Sequence, residues 1–156
     1  MAASQRGAPL RVGLLGYGLD RPGSGIARYT SELAAHLRAA DAGVEPVLLA
    51  ASPGGVGDGP ARLVAPGLGR LPTVMAVGPV SLAAAARRHR LDLIHGPTGI
   101  SPFLVPRRFG RFARVVTIHD MVPFVHPETH APLTNALFRR YIPRTLGGVD
   151  RIVTVS

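Results

Sequence analysis

The stretch that decides the fold is Arg114-Val-Val-Thr-Ile-His119-Asp120-Met-Val-Pro123, in which an apolar run passes directly into a histidine, an aspartate and a proline-stiffened loop. A short apolar run of this kind is typical of a strand that is buried on both faces. Open α/β sheets bind their ligands at the carboxyl ends of such strands. The stretch therefore predicts a parallel strand that delivers His119 and Asp120 to a binding site.

Two further strands are predicted to end in the same way. The run from Arg11 to Gly16 passes into a glycine-rich loop that reaches Gly25, and a helix with Arg28 near its start follows. The run from Leu91 to His95 passes into Gly96-Pro97-Thr98-Gly99. Because the carboxyl ends of parallel strands share one edge of a sheet, we expect these two loops to converge with His119.

The rest of the chain continues the alternation of strands and helices. Amphipathic spacing predicts a helix from Ile26 to Ala40, one from Thr73 to Arg90 that Gly78-Pro79 interrupts, and one from Pro132 to Leu146. This alternation predicts an α/β fold with a doubly wound parallel sheet. We expect a flexible amino terminus over residues 1–10 and a single domain over 11–156. The remaining predicted strands are Glu45 to Ala50, Arg62 to Ala65 and Arg151 to Ser156, and the predicted buried faces are Ile26, Tyr29, Leu33 and Leu37 in the first helix and Leu133, Leu137, Tyr141 and Leu146 in the last.

Composition limits the partners. The formal net charge is +9, yet all 18 basic residues are arginine, a bias typical of genomic composition, and we expect no nucleic-acid partner. No apolar run is long enough to span a bilayer, no signal peptide is visible and cysteine is absent, which favours a cytoplasmic protein. The cluster from Arg107 to Arg114 has two interpretations. A solvated loop is favoured, and peripheral contact with the inner membrane face is the alternative.

The glycine loop does not fit two familiar phosphate-binding motifs. A dinucleotide fingerprint would need glycine where Arg21 stands and an acidic residue after the second strand, and a P-loop would need a lysine, which the chain lacks. Backbone N–H groups at a helix start still favour an anion. Gly23, Gly25 and Arg28 are therefore candidate substrate-binding residues, and the alternative is a simple tight turn with a solvated arginine.

Each strand-end histidine also has two interpretations. His119 is a candidate for a hydrogen bond to a sugar hydroxyl or for stabilising developing charge, and Asp120 for accepting hydroxyl hydrogen bonds or capping the next turn. His95 and Thr98 are candidate substrate-binding residues, with a structural role as the alternative. A metal site built from His119, Asp120, His126 and His130 is disfavoured, since nearby prolines predict an irregular loop. No nucleophile-elbow sequence supports a Ser-His-Asp triad.

Four motifs in order resemble the amino-terminal domain of family 4 glycosyltransferases. The resemblance covers the chain from Arg11 to Ser156. The motifs are Gly23-Ser-Gly-Ile-Ala-Arg-Tyr-Thr-Ser-Glu-Leu33, Asp92-Leu-Ile-His-Gly-Pro-Thr98, Val116-Thr-Ile-His-Asp-Met-Val-Pro123 and Ile152-Val-Thr-Val-Ser156.

The resemblance implies one Rossmann-like half of a GT-B enzyme, which transfers a sugar from a nucleotide-sugar donor with retention and needs no metal or other cofactor. It implies that this domain supplies most of the acceptor site. It places Gly23, Gly25 and Arg28 near the donor's phosphate or sugar, His119 beside the transferred sugar, and Asp120 as its orienting or structural partner.

The resemblance also implies a carboxyl-terminal domain that holds the donor, and the sequence contains none. We therefore expect the chain to be truncated or to be one part of a split enzyme, inactive alone and prone to association. The acceptor, a glycan, lipid or small molecule, is not specified by the sequence. The alternative is a non-catalytic Rossmann-like binding module or split subunit, and a dehydrogenase fragment is disfavoured.

Overall fold

The computed structural model describes residues 8–16, 24–40, 43–50, 62–64, 71–104 and 106–155. Within these ranges the strands are β1 (Leu10–Leu15), β2 (Val44–Ala50), β3 (Arg62–Val64), β4 (Leu93–Gly96), β5 (Ala113–Ile118) and β6 (Arg151–Thr154). The α-helices are α1 (Gly25–Ala39), α2 (Leu71–Ala76), α3 (Gly78–His89), α4 (Val122–Val125) and α5 (Pro132–Leu146). Two 3₁₀ turns lie at Arg107–Phe109 and Pro127–Thr129.

The described strands form one six-stranded sheet in the order β3-β2-β1-β4-β5-β6. Every neighbouring pair is parallel. This order places β1 beside β4, so the strand order reverses between them, and such a switch point opens a crevice at the carboxyl ends of the two strands. The prediction of a doubly wound α/β sheet is therefore confirmed.

The apolar core lies on both faces of the sheet, because continuous apolar strands can be buried only if helices cover each side. On one face α1 packs Leu33, Ala34 and Leu37 against side chains from β1 and β2. On the other face α3 packs Leu82, Ala85 and Ala86 against a larger cluster that includes Phe103 and Phe112. The sheet is thus a rigid platform whose strand ends can hold a site.

The predicted helices are found, with two differences in their buried faces. The helix break occurs at Val77, just before Gly78-Pro79, because Pro79 is accepted in the first turn of a new helix. In α1 the fully buried residues are Thr30 and Ala34, while the predicted apolar stripe is partly buried. In α5 the prediction for Leu133 was wrong, since that side chain is 74% exposed. The buried residues of α5 all lie in its carboxyl-terminal half: Tyr141, Ile142 and Thr145.

The basic cluster from Arg107 to Arg114 is only in part the solvated loop that the sequence favoured. Arg114 is only 1% exposed and Phe112 is 5% exposed, so neither side chain can rest on a membrane surface. Arg107 forms an ion pair with Asp150 at 2.7 Å. The arginines at 108 and 111 do lie at the surface. The membrane interpretation therefore loses two of the side chains on which it relied.

None of the described helices combines the length and the apolar character that a membrane-spanning segment requires.

Candidate active site

A pocket of about 120 Å³ lies at the carboxyl end of β5. The loop after β4 and the first turn of α1 also reach it, and α4 and α5 close its far side. Two of the strand ends that the sequence singled out therefore meet there, and the helix that follows the glycine loop lies beside them. The lining residues are Ile26, Thr98, Gly99, Ile100, Ile118, His119, Asp120, Met121, Pro123, Phe124, Phe138 and Ile142.

His119 is held at the pocket by two contacts. Its Nε2 lies 2.7 Å from the carbonyl oxygen of Pro97. A carbonyl oxygen can only accept, so Nε2 carries the proton and donates it, and in neutral His119 Nδ1 carries the lone pair. The ring of Tyr29 packs edge-on against the imidazole, with ring centroids 4.9 Å apart. Neutral His119 therefore offers a ligand a hydrogen-bond acceptor, and it offers a second donor only when protonated.

Thr117 is the hub of a buried polar network behind His119. Its Oγ1 lies 2.8 Å from Nε2 of His95 and 3.0 Å from the hydroxyl of Tyr29. Thr117 is fully buried, so the network excludes water and fixes the tilt of Tyr29 against His119. The sequence analysis assigned Tyr29 to the helix packing face and did not single out Thr117. The available signal was strand alternation, which places residues 117 and 119 on the same face of the predicted strand from 114 to 119.

His95 lies within the sheet and does not line the pocket. It is 9% exposed, and its ring bonds Thr117. Burial, and secondly the nearby charge of His119, lowers the pKa of His95 from 6.5 to about 4. His95 is therefore neutral near pH 7, and the geometry gives it a structural place beneath the site, which is the alternative that the sequence left open.

Thr98 and Asp120 line the pocket, but both side chains also hold local backbone. The Thr98 hydroxyl donates to the carbonyl of Ile100 at 3.2 Å and accepts from the N–H of the same residue at 3.3 Å. One carboxylate oxygen of Asp120 accepts the N–H of Val122 at 3.0 Å. Asp120 thus performs the capping that the sequence analysis offered as one of its two roles, while its exposed carboxylate stays at the mouth of the site.

Gly96 determines how closely the loop after β4 can fold back over the sheet. A methyl group at this position would overlap the hydroxyl of Ser101. That hydroxyl, fully buried, donates to the carbonyl of Thr98 at 2.9 Å. A side chain at residue 96 would therefore displace the turn that carries Pro97 and Thr98, and with it the carbonyl that holds His119.

The glycine loop lies partly outside the described residues, and Gly23 is among those not described. Ser24 caps α1 by accepting the N–H of Ala27 at 3.1 Å, a role that the sequence analysis did not assign. Gly25 is the exposed first residue of α1, and no heavy atom of the described residues lies within 4 Å of the position that its Cβ would occupy. Arg28 is exposed and does not line the pocket.

The two histidines of the disfavoured metal site have other neighbours. His126 lies 3.0 Å from a carboxylate oxygen of Glu128, and His130 lies 3.0 Å from the hydroxyl of Thr129. The turn Pro127–Thr129 separates them, and the short helix α4 ends at Val125, just before His126, so the irregular loop that the prolines predicted is present. Among the described residues, no three or more His, Asp or Glu side chains are grouped as metal ligands would be.

Comparison with known proteins identifies the family. Residues 23–156 match the family model described as Glycosyltransferase Family 4. No curated protein matches the chain significantly. The match covers most of the chain, and with the all-parallel sheet it shows that the chain belongs to this family, as an amino-terminal domain of the glycosyltransferase type.

Proposed function

We propose that this domain is the acceptor-side half of a retaining glycosyltransferase of the GT-B type. In the reaction, the bond between the anomeric carbon and the diphosphate of a nucleotide-sugar donor breaks, and a bond from that carbon to an acceptor hydroxyl oxygen forms. The proton of that hydroxyl passes to the departing nucleoside diphosphate. A second domain, beyond the 156 residues of this sequence, holds the nucleotide. The observation that carries the proposal is the placement of His119, anchored through Nε2 at the rim of a pocket in a domain of this family.

His119 acts in this proposal by orienting the transferred sugar. The hydrogen bond to Pro97 fixes the tautomer, so the Nδ1 lone pair accepts a hydrogen bond from a sugar hydroxyl. That interaction contributes to the rate only where it is stronger in the transition state than in the ground state. The edge of Tyr29 limits the rotation of the ring, and preorganised polar groups of this kind stabilise developing charge without reorganising.

The amino terminus of α1 is proposed to face the donor diphosphate. Backbone N–H groups of a first helical turn and the helix dipole favour an anion there. Within the described residues, Ser24 takes the N–H of Ala27, and no hydrogen bond takes the N–H of Gly25 or Ile26. The open space around Gly25 leaves room for a phosphate to approach the backbone.

Steady-state sugar transfer, measured in a protein that joins this domain to a donor-binding domain, tests the proposal. His119→Ala is expected to lower turnover by roughly 100-fold, the scale of losing one well-placed polar group, while donor affinity changes by less than about threefold. His36→Ala is a matched control, because His36 is exposed on α1. Unchanged turnover in the His119 variant would show that His119 does not contribute to sugar transfer and would favour a non-catalytic binding module.

Gly25→Val tests the role of the helix terminus separately. The valine has room in the fold, so thermal stability is expected to change little, whereas its branched side chain obstructs the approach of an anion to the backbone. Donor-dependent transfer should fall about tenfold or more. Ala35→Val, at an exposed position of the same helix, controls for the valine itself. Equal activity of Gly25→Val and Ala35→Val would show that the amino terminus of α1 is not part of the donor site.

A further inference from the structure

We propose that the pocket at the end of β5 is an acceptor subsite for an uncharged apolar group of about five or six carbons, joined to the hydroxyl that receives the sugar. The assignment of the pocket to the acceptor rests on the proposed function. The chemical class of the group rests on the side chains that form the walls of the pocket.

The walls are predominantly apolar. Eight of the twelve described lining residues have hydrocarbon or thioether side chains, and they come from α1, β5, α4, α5 and two loops. The eight are Ile26, Ile100, Ile118, Met121, Pro123, Phe124, Phe138 and Ile142. Burial of apolar surface is favourable by about 25 cal/mol per Å², so a ligand group of the same character binds here by leaving water.

Among the described lining residues the polar groups are few, and two of them are committed to the fold. The Thr98 hydroxyl already bonds both backbone groups of Ile100. Asp120 uses one oxygen on Val122. A sugar unit in this pocket would bury several hydroxyls with too few partners, and each unpaired polar group costs about 1–3 kcal/mol. The walls therefore disfavour a hydroxyl-rich group and favour an apolar one.

Charge disfavours an anionic group as well. No arginine is present among the described lining residues, although the chain carries 18, and the carboxylate of Asp120 would repel a phosphate or a carboxylate. His119 offers a lone pair at Nδ1 in its neutral form, which also repels an anion. The pocket is thus suited to an uncharged occupant whose hydroxyl can donate to Asp120, since Nδ1 of His119 is assigned to a hydroxyl of the transferred sugar.

The volume of the pocket limits the size of the apolar group that it can hold. The volume is about 120 Å³, somewhat below the roughly 150 Å³ of an apolar cavity that holds benzene. One ring of six carbons or one branched segment of five fills such a space, and the remainder of the acceptor lies outside it. Met121, half-exposed, stands where the pocket meets solvent.

The isoleucines of the chain provide a direct readout of binding. Of six in the sequence, four line the pocket, namely Ile26, Ile100, Ile118 and Ile142. Ile94 lies fully buried in the sheet and Ile152 lies half-exposed on β6, so both serve as internal references. Selective ¹³C labelling of isoleucine δ1 methyl groups in the 156-residue chain therefore separates binding in the pocket from general effects.

The test titrates the labelled chain with benzyl alcohol, cyclohexylmethanol and glucose. Both apolar alcohols are expected to shift the four pocket methyls with a Kd on the order of millimolar, which suits ligands of so few atoms, and to leave Ile94 and Ile152 in place. Comparing the two alcohols distinguishes an aromatic from an aliphatic source of the group. Glucose at the same concentrations should shift none of the four.

Two variants provide a matched comparison. Met121→Glu places a carboxylate at the pocket wall and should weaken binding of the alcohols at least fivefold. Val125→Glu makes the same change at an exposed position of α4 that does not line the pocket, and its Kd should stay within twofold. Both sites are half-exposed or more, so neither change should unfold the chain.

Four outcomes would overturn the proposal: no binding of either alcohol, glucose binding in preference to the alcohols, equal shifts of all six isoleucines, or equal loss of binding in the two variants. These measurements require neither donor nor turnover. Loss of binding would therefore refute the apolar subsite while leaving sugar transfer untouched, and failure of the transfer experiment would leave the binding result standing.

Discussion

A polar residue with a large side chain lies at each end of β5, and the environments of these two residues are opposite. At the amino end Arg114 is 1% exposed and surrounded by protein. At the carboxyl end His119 is partly exposed and opens onto a pocket. The two residues are five positions apart on one strand. Their contrast shows how a single sheet separates polar groups that build the fold from those available to a ligand.

The Arg114 end is a closed polar cluster. Its guanidinium donates to the carbonyls of Phe103 at 3.3 Å and Gly148 at 3.5 Å and lies 5.1 Å from the Phe112 ring centroid. The two oxygens of Asp150 accept from the backbone N–H of Arg114 and from Arg107. The backbone hydrogen bond from Arg114 is the main reason why the pKa of Asp150 lies below its usual range. Such a cluster joins β5, β6 and the preceding loop.

The His119 end is open by comparison. One ring nitrogen bonds Pro97, and the neighbouring Asp120 uses one carboxylate oxygen on Val122. Apolar side chains, and no described guanidinium, face them across the pocket. A polar group that keeps hydrogen-bonding capacity at the edge of a pocket is suited to a ligand, whereas one whose capacity is consumed within the protein stabilises the fold.

The largest expected effect is the loss of stability when the Arg114 side chain is removed from the closed cluster. Arg114→Ala leaves a cavity and removes the donor from two carbonyls, so unfolding should become easier by about 4 kcal/mol. Urea denaturation followed by circular dichroism measures this. Arg111→Ala, at an exposed position of the same segment, should stay within about 0.5 kcal/mol. Similar stabilities for the two variants would show that the cluster does not hold the strand.

The pH dependence of the free energy of unfolding tests the buried network that joins His95 to Thr117. The folded state lowers the pKa of His95 from 6.5 to about 4, so the unfolded chain binds the proton more readily between these values. Stability is therefore expected to be complete above pH 6.5 and to fall as the pH drops toward 4, by about 3 kcal/mol from this histidine. Asp150, with its lowered pKa, contributes stability that is lost only at lower pH.

The His95 contribution is isolated by substitution. His95→Gln retains a polar partner for Thr117 without a titrating ring, so it should remove most of the pH dependence between 4 and 6.5. His36→Gln, at an exposed histidine, should leave that dependence unchanged. The free energy of unfolding is plotted against pH for wild type and for His95→Gln. If the two slopes coincide, the buried network does not cause the pH dependence of stability.

The smallest expected effect is on the stability of the open end. His119→Ala loses one hydrogen bond and a ring contact at a partly exposed position, so the free energy of unfolding should fall by only about 1 kcal/mol. Urea denaturation under the conditions used for Arg114→Ala gives the comparison. A loss as large as that of the arginine variant would make His119 a structural residue.

Patterns of local sequence predicted most of the fold. The strands that end at His95 and His119 were placed within two residues, and α5 was placed at its observed bounds. The packing between helices and strands was harder to predict from the sequence. Leu133 follows the helical spacing of Tyr141 but is exposed, because only the second half of α5 is buried. Arg114, predicted as the first residue of a strand and counted in the basic cluster for which a solvated loop was favoured, is buried because Phe103, Gly148 and Asp150 reach it from distant parts of the chain.

By itself the sequence determined the alternation of strands and helices, the doubly wound class, the family and the strand end that carries His119 and Asp120. These follow from hydrophobic period, from glycine and proline, and from local motifs, all of which act over a few residues. Only the tertiary structure decided the tautomer of His119, the joining of Tyr29, His95 and Thr117, and the apolar pocket between α1, α4 and α5. The physical reason is that burial and hydrogen bonding depend on which residues approach in space, and contacts between residues 22 to 88 positions apart leave no local periodicity in the chain.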